Sequence, residues 1–452
     1  MLKINIDFFE NHPISLGKTK LCIKQYLNLK NKFSFIFEQA FKQKKIAVFI
    51  KDPQFFYFFL TYLDGIVDEV LILSQVFSKD DINRFLSENK ISMCISDFSV
   101  GDVSNEITWI NINKIAASKN VFSACNEKKS TQWIIPTSGT TNTPKLIKHS
   151  TVSLTKCVKT DKEKGKILIW GNLYDHSRFA GIQVLLQSLL GGSTIILDDK
   201  SDIQEKLKIL IENKCSALSG TPTFWRHILM YPSAKKLKLN QITLGGEIVD
   251  QAILNSLTKM FPNARITHVY ALTEIGVAFS VSDSKAGFPI DFLNKKDKKF
   301  QLKISEKQTL LIKTKEEKIN SYIKEKLDQK GYFDTQDIVK IDGDRVFFYG
   351  RDNKSINVGG HKVHPEEIEQ YLLKHPQVKS VRILAKENSI VGNLIIAELV
   401  VDNVSEQEQS LLRKELKAYC GTQFPKYKVP YQFNFVQYIK YNKTGKIIRN
   451  GG

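Results

Sequence analysis

Residues 137–145 read TSGTTNTPK, a run of hydroxyl-bearing, small and turn-forming residues that ends on a lysine. Backbone amides and hydroxyls gathered around small residues can wrap a cluster of anionic oxygens. Lys145 adds a compact point charge that suits phosphate. The run is not the G-x-x-x-x-G-K-[ST] loop. Its second glycine is absent, Pro144 precedes the lysine, and a strand-like alternating segment follows where that loop would open a helix. Alone, the run reads equally well as the polar tip of a hairpin.

It does not stand alone. Downstream come LGGEIVD at 244–250, YALTE at 270–274, GYFDTQDIV at 331–339, GRDNKSINVGGHKVHPEEIE at 350–369 and NKTGKIIR at 442–449. The six segments, in this order, resemble the signatures of the adenylate-forming superfamily: acyl-CoA synthetases, luciferase-type ligases and peptide-synthetase adenylation domains. The resemblance covers the chain from about residue 130 to its end.

It implies that Thr137, Ser138, Gly139, Thr140, Thr141 and Lys145 hold ATP phosphates, with Gly246 and Glu247 also at the nucleotide. Tyr270 offers a π-face for adenine, and Thr273 a hydroxyl for the α-phosphate. Glu274 is a hard oxygen ligand for Mg²⁺, which takes carboxylate together with phosphate oxygens. Asp337 can accept both ribose hydroxyls, and Arg351 reaches the same ribose. Lys446 bridges carboxylate and α-phosphate while the adenylate forms. Thr273, Glu274 and Lys446 are thus the expected catalytic residues. A hinge near Asn353 lets the small domain turn between two half-reactions. Gly359 and Gly360, having no Cβ, let backbone approach a pantetheine arm. The implied activity is ATP-dependent ligation of a carboxylic acid to a thiol, through an acyl-adenylate and with loss of pyrophosphate. The acceptor is CoA or a phosphopantetheine carrier protein supplied in trans, and the Asn-Val-Gly-Gly-His-Lys-Val version of the tunnel segment leans to the CoA-ligase type. Asn142, Ala271, Gln336 and Asn353 depart from the residues usual in the family, but none removes a charge the chemistry needs.

Gly245, Ala271 and Arg178 are the expected wall of the acid pocket. In YDHSRFAGIQVLLQSLLGG, CoA ligases carry a histidine three residues before the first glycine, and here that place is Arg178. The alternative makes YDHS the amino-group anchor of an amino-acid-loading enzyme, through Asp175. Seventeen positions separate Asp175 from Gly192, too many for that pattern. An unpaired guanidinium is costly to bury and matches a carboxylate in bidentate geometry. Arg178 therefore points to a polar or dicarboxylic acid, unless it is spent on an internal pair with Asp175. Three readings stay open: the acid:thiol ligase, a stand-alone enzyme loading an amino acid onto a carrier, and a non-catalytic basic nucleotide- or nucleic-acid-binding protein.

These residues need a scaffold, and 452 residues are too many for one small core. KIAVFI, EVLILS and ISMCIS read as buried strands and DDINRFLSENK as a capped helix; strands separated by helices predict parallel βαβ units. The expected fold is α/β: a large multi-sheet domain over 1–350 and a small mobile α+β domain over 351–452. In the latter, SINVGGHKV reads as one strand with a Gly-Gly break, and HPEEIEQYLLKH as a helix with Pro365 in its first turn. No apolar run reaches the roughly 18–20 residues of a membrane span, and 1–13 lacks a signal-peptide pattern. The six cysteines are scattered without a C-x-x-C pair, so a reducing cytoplasm is expected and a zinc site is not. The net charge of +19 is dispersed, and nucleic acid is not an expected partner. Only 421–452 is one-sided, with six basic residues and no acidic one.

Overall fold

The computed structural model describes residues 14–16, 19–21, 32–99, 107–115, 130–137, 144–198, 202–294, 300–314, 321–388, 391–402, 405–440 and 447. Two large sheets dominate. The first has six strands in the order Thr108–Asn111, Met93–Ser96, Lys45–Phe49, Glu69–Ile72, Gln132–Thr137 and Lys145–Ser150. All neighbours are parallel except the last pair, a hairpin that aligns Thr137 with Lys145. The apolar runs KIAVF and MCIS are strands with almost every residue buried, as central parallel strands covered on both faces must be.

The second sheet has eight strands. Its order is Gly276–Val281, Arg265–Leu272, Gln241–Gly245, Ala217–Gly220, Ile169–Asn172, Thr194–Leu197, Ile14–Leu16 and Thr19–Leu21. The middle pairings are parallel, and antiparallel strands close both edges. The helix Phe179–Gly191 joins the two sheets. Its Ile182, Leu185 and Leu189 share one core with Ile46 and Trp133 of the first sheet and Ile195 of the second. It ends at Gly192, whose φ of 74° leaves the helix by the left-handed route that glycine allows.

A five-stranded sheet follows, in the order Phe288–Pro289, Arg345–Arg351, Phe333–Asp342, Thr309–Thr314 and Phe300–Ile304, with every pairing antiparallel. Beyond Arg351 the chain builds a separate core. The sheet Val378–Asn388, Gly392–Val401 and Gln432–Phe435 packs with the helices Pro365–Leu372 and Glu406–Gln423. The fold is α/β in its larger part, with a small α+β domain at the C-terminus. The single broken strand expected at 355–363 is instead a hairpin, Ile356–Val358 with His361–Val363. Gly359 and Gly360 form its tip at φ 57° and 84°, and a Cβ on either would face open space. Two successive positive-φ residues make a tight reversal, not a break within a strand.

Candidate active site

The carboxyl ends of the parallel strands in the eight-stranded sheet open onto a cavity of about 990 Å³. This is where open α/β sheets bind ligands. Thr137 and Lys145 reach it from the neighbouring sheet, at facing positions on the two arms of the hairpin. Ser138, Gly139, Thr140 and Thr141, expected at the phosphates, lie outside the described residues, as does Asn142. Thr273 and Glu274 occupy the turn between Arg265–Leu272 and Gly276–Val281 and line the same cavity. Gly245, Gly246 and Ala271 line it too.

Asp337 and Arg351 face each other across the hairpin of the five-stranded sheet. Arg351 Nε donates to Asp337 Oδ1 at 2.7 Å, and the Tyr270 hydroxyl donates to Asp337 Oδ2. Burial pulls the Arg351 pKa down, but the Asp337 carboxylate overrides it and the net shift is upward, so the guanidinium stays charged. Gln336, just before Asp337, sits at φ +60°. Glycine adopts that conformation without strain, and Gln336 holds it here.

Tyr270 is packed among protein rings. Its ring stacks with Phe279 at 5.1 Å and with Phe348 at 4.9 Å, and it is not part of the cavity wall. Burial together with Asp337 drives the phenol pKa well up. Glu247 is bonded within the protein. It is not in the cavity wall. Its carboxylate accepts the Thr223 N–H at 3.0 Å, at the start of helix Pro222–Leu229, and the Ile447 N–H at 3.1 Å. Lys446 itself lies outside the described residues, but its neighbour is thus tied to the Gly-Gly-Glu segment. Asn353 falls in the turn Asp352–Lys354, beside Arg351. Gly359 and Gly360 stand at the hairpin tip.

Arg178 precedes the first turn of the helix Phe179–Gly191 and lines the cavity. Its position is fixed by close packing: a Cβ on Gly181 would lie 2.1 Å from the Asp175 carbonyl oxygen, so only glycine fits three residues after Arg178. The guanidinium lies over Phe77, 4.9 Å from the ring centroid, and its buried Nη1 has no hydrogen-bond partner among the described residues. Burial lowers its pKa, opposed by the Asp175 charge. No Asp175–Arg178 ion pair forms. Asp175 is held instead by Ser177, whose N–H and hydroxyl donate at 2.9 and 2.6 Å, and by the Ser74 hydroxyl at 2.7 Å.

Sequence reasoning missed His149. It lies on the same strand face as Lys145, four residues on, which the alternation of Lys145–Ser150 could have disclosed. The ring is 2% exposed and stacks on Phe179. Burial lowers its pKa to about 4. The Thr273 backbone opposes this, although no hydrogen bond of normal geometry reaches Nε2.

Residues 70–300 match the model of AMP-binding enzymes, and 367–446 match the C-terminal domain of the same enzymes. The chain belongs to the AMP-binding enzyme family. The family match begins at residue 70, well before the first motif legible in the sequence. Among similar proteins, the 2-succinylbenzoate–CoA ligase of Lactococcus lactis subsp. lactis (strain IL1403) is 24% identical over 425 residues, covering 90% of each chain. The D-alanine–D-alanyl carrier protein ligase of Staphylococcus aureus (strain MRSA252) is 24% identical over 405 residues, covering 81% of this chain and 82% of its own. In fold, the AMP-binding enzyme resembles an anthranilate CoA ligase solved with anthranoyl-AMP. The TM-score is 0.76 at 14% identity, over 98% of this chain and 95% of that one. It also resembles an o-succinylbenzoate CoA synthetase from Bacillus subtilis solved with ATP and magnesium, with a TM-score of 0.72 at 17% identity over 97% and 96% of the two chains. No helix among the described residues is long and apolar enough to cross a membrane.

Proposed function

We propose that this AMP-binding enzyme, an AMP-forming acid–thiol ligase, joins a polar or dicarboxylic acid to the thiol of CoA or of a phosphopantetheine carrier in trans. The observation that carries the reading is one cavity walled by Lys145, Thr273, Glu274 and Arg351, and by Arg178 with its unpartnered Nη1. An oxygen of the substrate carboxylate attacks the α-phosphorus of ATP. The new P–O bond forms as the bond to pyrophosphate breaks. Two anions must meet, so positioning and charge neutralisation dominate the barrier. Lys145 and Lys446 supply positive charge, the Thr273 hydroxyl holds an α-phosphate oxygen, and Arg351 reaches the ribose from the cavity wall, with Asp337 behind it, both of its oxygens already accepting from Arg351 and Tyr270. The thiol then attacks the acyl carbonyl, AMP leaves with the bonding electrons, and the thiol proton passes to solvent.

Glu274 fits Mg²⁺, which one carboxylate and phosphate oxygens can hold; no group of three or more metal-ligating side chains occurs among the described residues. Bound there, the ion would neutralise charge on the departing pyrophosphate. Residues 1–350 bind ATP and acid, 351–452 form the lid, Asn353 is the hinge, and Gly359–Gly360 border the thiol path. The lid's basic surface is narrower than its composition implies, because Lys428 is paired with Glu367 at 2.6 Å. Among the described residues Cys94, Cys157, Cys215 and Cys420 form no disulfide, which suits a cytoplasmic enzyme.

The likeness to D-alanine–carrier ligases favours a second reading, in which an amino acid is loaded. Against it, Asp175 already accepts three hydrogen bonds from Ser74 and Ser177 and is not a spare anchor for an amine. Pyrophosphate release over aliphatic, aromatic, dicarboxylic and amino acids, with and without CoA, tests the choice. Release with amino acids alone would overturn the polar-acid reading.

A further inference from the structure

The acid-binding part of the cavity does not end near Ala271. Two adjacent parallel strands run its length, with Gly245 aligned to Val269, Thr243 to Thr267 and Gln241 to Arg265. Alternate residues share a strand face, and both alternating sets line the cavity: Gly245, Thr243 and Gln241 on one strand, Ala271, Val269, Thr267 and Arg265 on the other. From the reaction end outward the wall therefore changes from small and apolar, to hydroxyl, to amide and guanidinium. The opposite wall is the helix Phe179–Gly191. It presents Ala180 near the reaction end, then Gln183 and Gln187 one turn apart. Six residues of strand span about 20 Å, and thirteen of helix about the same, so both walls have the length of an extended channel.

At the far end the walls converge on positive charge. Lys159 and Lys164 line the cavity there beside Arg265. The Gln187 side chain clasps the backbone of Lys159, accepting its N–H and donating to its carbonyl, each at 3.0 Å. Lys164 is offset by Asp161 at 3.0 Å, and Asp161 lines the same mouth. Lys159 and Arg265 form no ion pair within 4 Å among the described residues, and the Arg265 Nη2 reaches only the Ser282 hydroxyl, at 3.4 Å. Burial, Arg265 and Lys164 together lower the Lys159 pKa, in that order. Two cations are thus held together at the end of the channel without a protein anion of their own.

We propose that the cavity runs through to a second, basic mouth formed by Lys159 and Arg265, and that this mouth binds the anionic tail of an elongated acid whose other carboxylate is activated near Thr273. The proposal rests on the ligase reading and extends it. Val158, Leu168, Trp170 and Val184 line the cavity too, and the Gln241 and Gln187 amides are already bonded within the protein, so the wall accepts a methylene spacer and the mouth selects the charge at its end. Arg178 and the mouth stand at opposite ends of one helix, so they act on different parts of the substrate: Arg178 on groups close to the reacting carboxylate, the mouth on the tail.

The test uses α,ω-dicarboxylates of increasing length and their methyl-ended monocarboxylate analogues, with pyrophosphate release as readout, in wild type and in Lys159→Gln/Arg265→Gln. Both side chains are exposed, and thermal melting verifies that the double variant folds. The expected result is a dicarboxylate preference in kcat/KM that peaks at long chain length. The double variant cuts that peak about tenfold, as loss of charge-assisted bonds does, and leaves short acids unchanged. A preference that does not change with length, long monocarboxylates that win, or a double variant that affects all acids equally would each overturn it. If no acid releases pyrophosphate, the ligase reading fails instead. The mouth is then decided by calorimetric titration of the long dicarboxylates into the full chain: binding weakened in the double variant upholds it, and unchanged or absent binding overturns it.

Discussion

A guanidinium nitrogen buried without an acceptor is expensive, because a hydrogen bond to a charged group is worth about 1.5–3 kcal/mol and its absence leaves the desolvation uncompensated. Arg178 Nη1 is in that position, while the nearest acid, Asp175, is spent on Ser74 and Ser177. An acid that brings its own second oxygen group would relieve it. Arg178→Ala is therefore expected to lower kcat/KM for a short dicarboxylate by roughly ten- to a hundredfold relative to its monocarboxylate analogue. A ratio of the two kcat/KM values that stays at its wild-type level would make Arg178 a structural residue. Glu274 carries a different expectation. Its carboxylate lines the cavity at the turn after Leu272, and Glu274→Gln removes an anionic hard ligand while keeping the side chain's size. The Mg²⁺ concentration for half-maximal pyrophosphate release should rise. Coincident Mg²⁺ titrations for wild type and variant would remove Glu274 from the metal.

At the scale of elements, the strand Lys145–Ser150 carries the cavity-lining Lys145 at one end and His149 at the other, packed on Phe179 at the start of the cavity helix. The folded pKa of His149, about 4, lies below the usual value of 6.5. Between those values the unfolded chain holds a proton that the folded chain refuses. The stability from neutral His149 is therefore complete above about pH 6.5 and declines as the pH falls toward 4. By pH 5 the loss is about 2 kcal/mol, at 1.36 kcal/mol per pKa unit. His149→Gln should flatten the decline between pH 7 and pH 5, read by urea unfolding at each pH. Parallel profiles would show that His149 titrates normally. The legibility of the elements divides along the same physical line. The buried parallel strands and the Arg178-x-x-Gly181 spacing were readable, because continuous apolar runs and a glycine at a fixed offset are local signals. The Tyr270 stack was not, because Phe279 and Phe348 reach it from other strands. The Gly359–Gly360 reversal was read as a break, since sequence shows two glycines but not their positive φ. The gradient from Ala271 to Arg265 lay in plain alternation, yet its meaning depends on the helix wall that faces it.

At the scale of the whole molecule, the Glu247 carboxylate is the contact that joins the end of the chain to the large domain. One oxygen accepts the Thr223 N–H at the start of a helix, and the other accepts the Ile447 N–H beside Lys446. This places Ile447 on the Gly-Gly-Glu segment, next to Gly245 and Gly246 in the cavity wall. On the roles proposed above, such a contact serves adenylate formation, with Lys446 at the reacting carboxylate, and is released if the lid turns for the thiol step. Glu247 then acts as a positioning residue for one half-reaction and has no part in the other. Glu247→Gln keeps the shape and removes the charge. Losing a charge-assisted bond of about 1.5–3 kcal/mol corresponds to a roughly ten- to hundredfold slower adenylation. Thioester formation from supplied acyl-adenylate should stay near its wild-type rate. Lys446→Ala should show the same asymmetry more strongly, by about a hundred- to a thousandfold, as loss of a preorganised charge contact does. Glu247 also holds Thr223, so a general loss of structure is the competing cause. It would lower the melting temperature and slow both half-reactions together. Equal losses in the two half-reactions, for either variant, would separate the C-terminal segment from the adenylation step and leave the Glu247–Ile447 contact as a static clasp between the two domains.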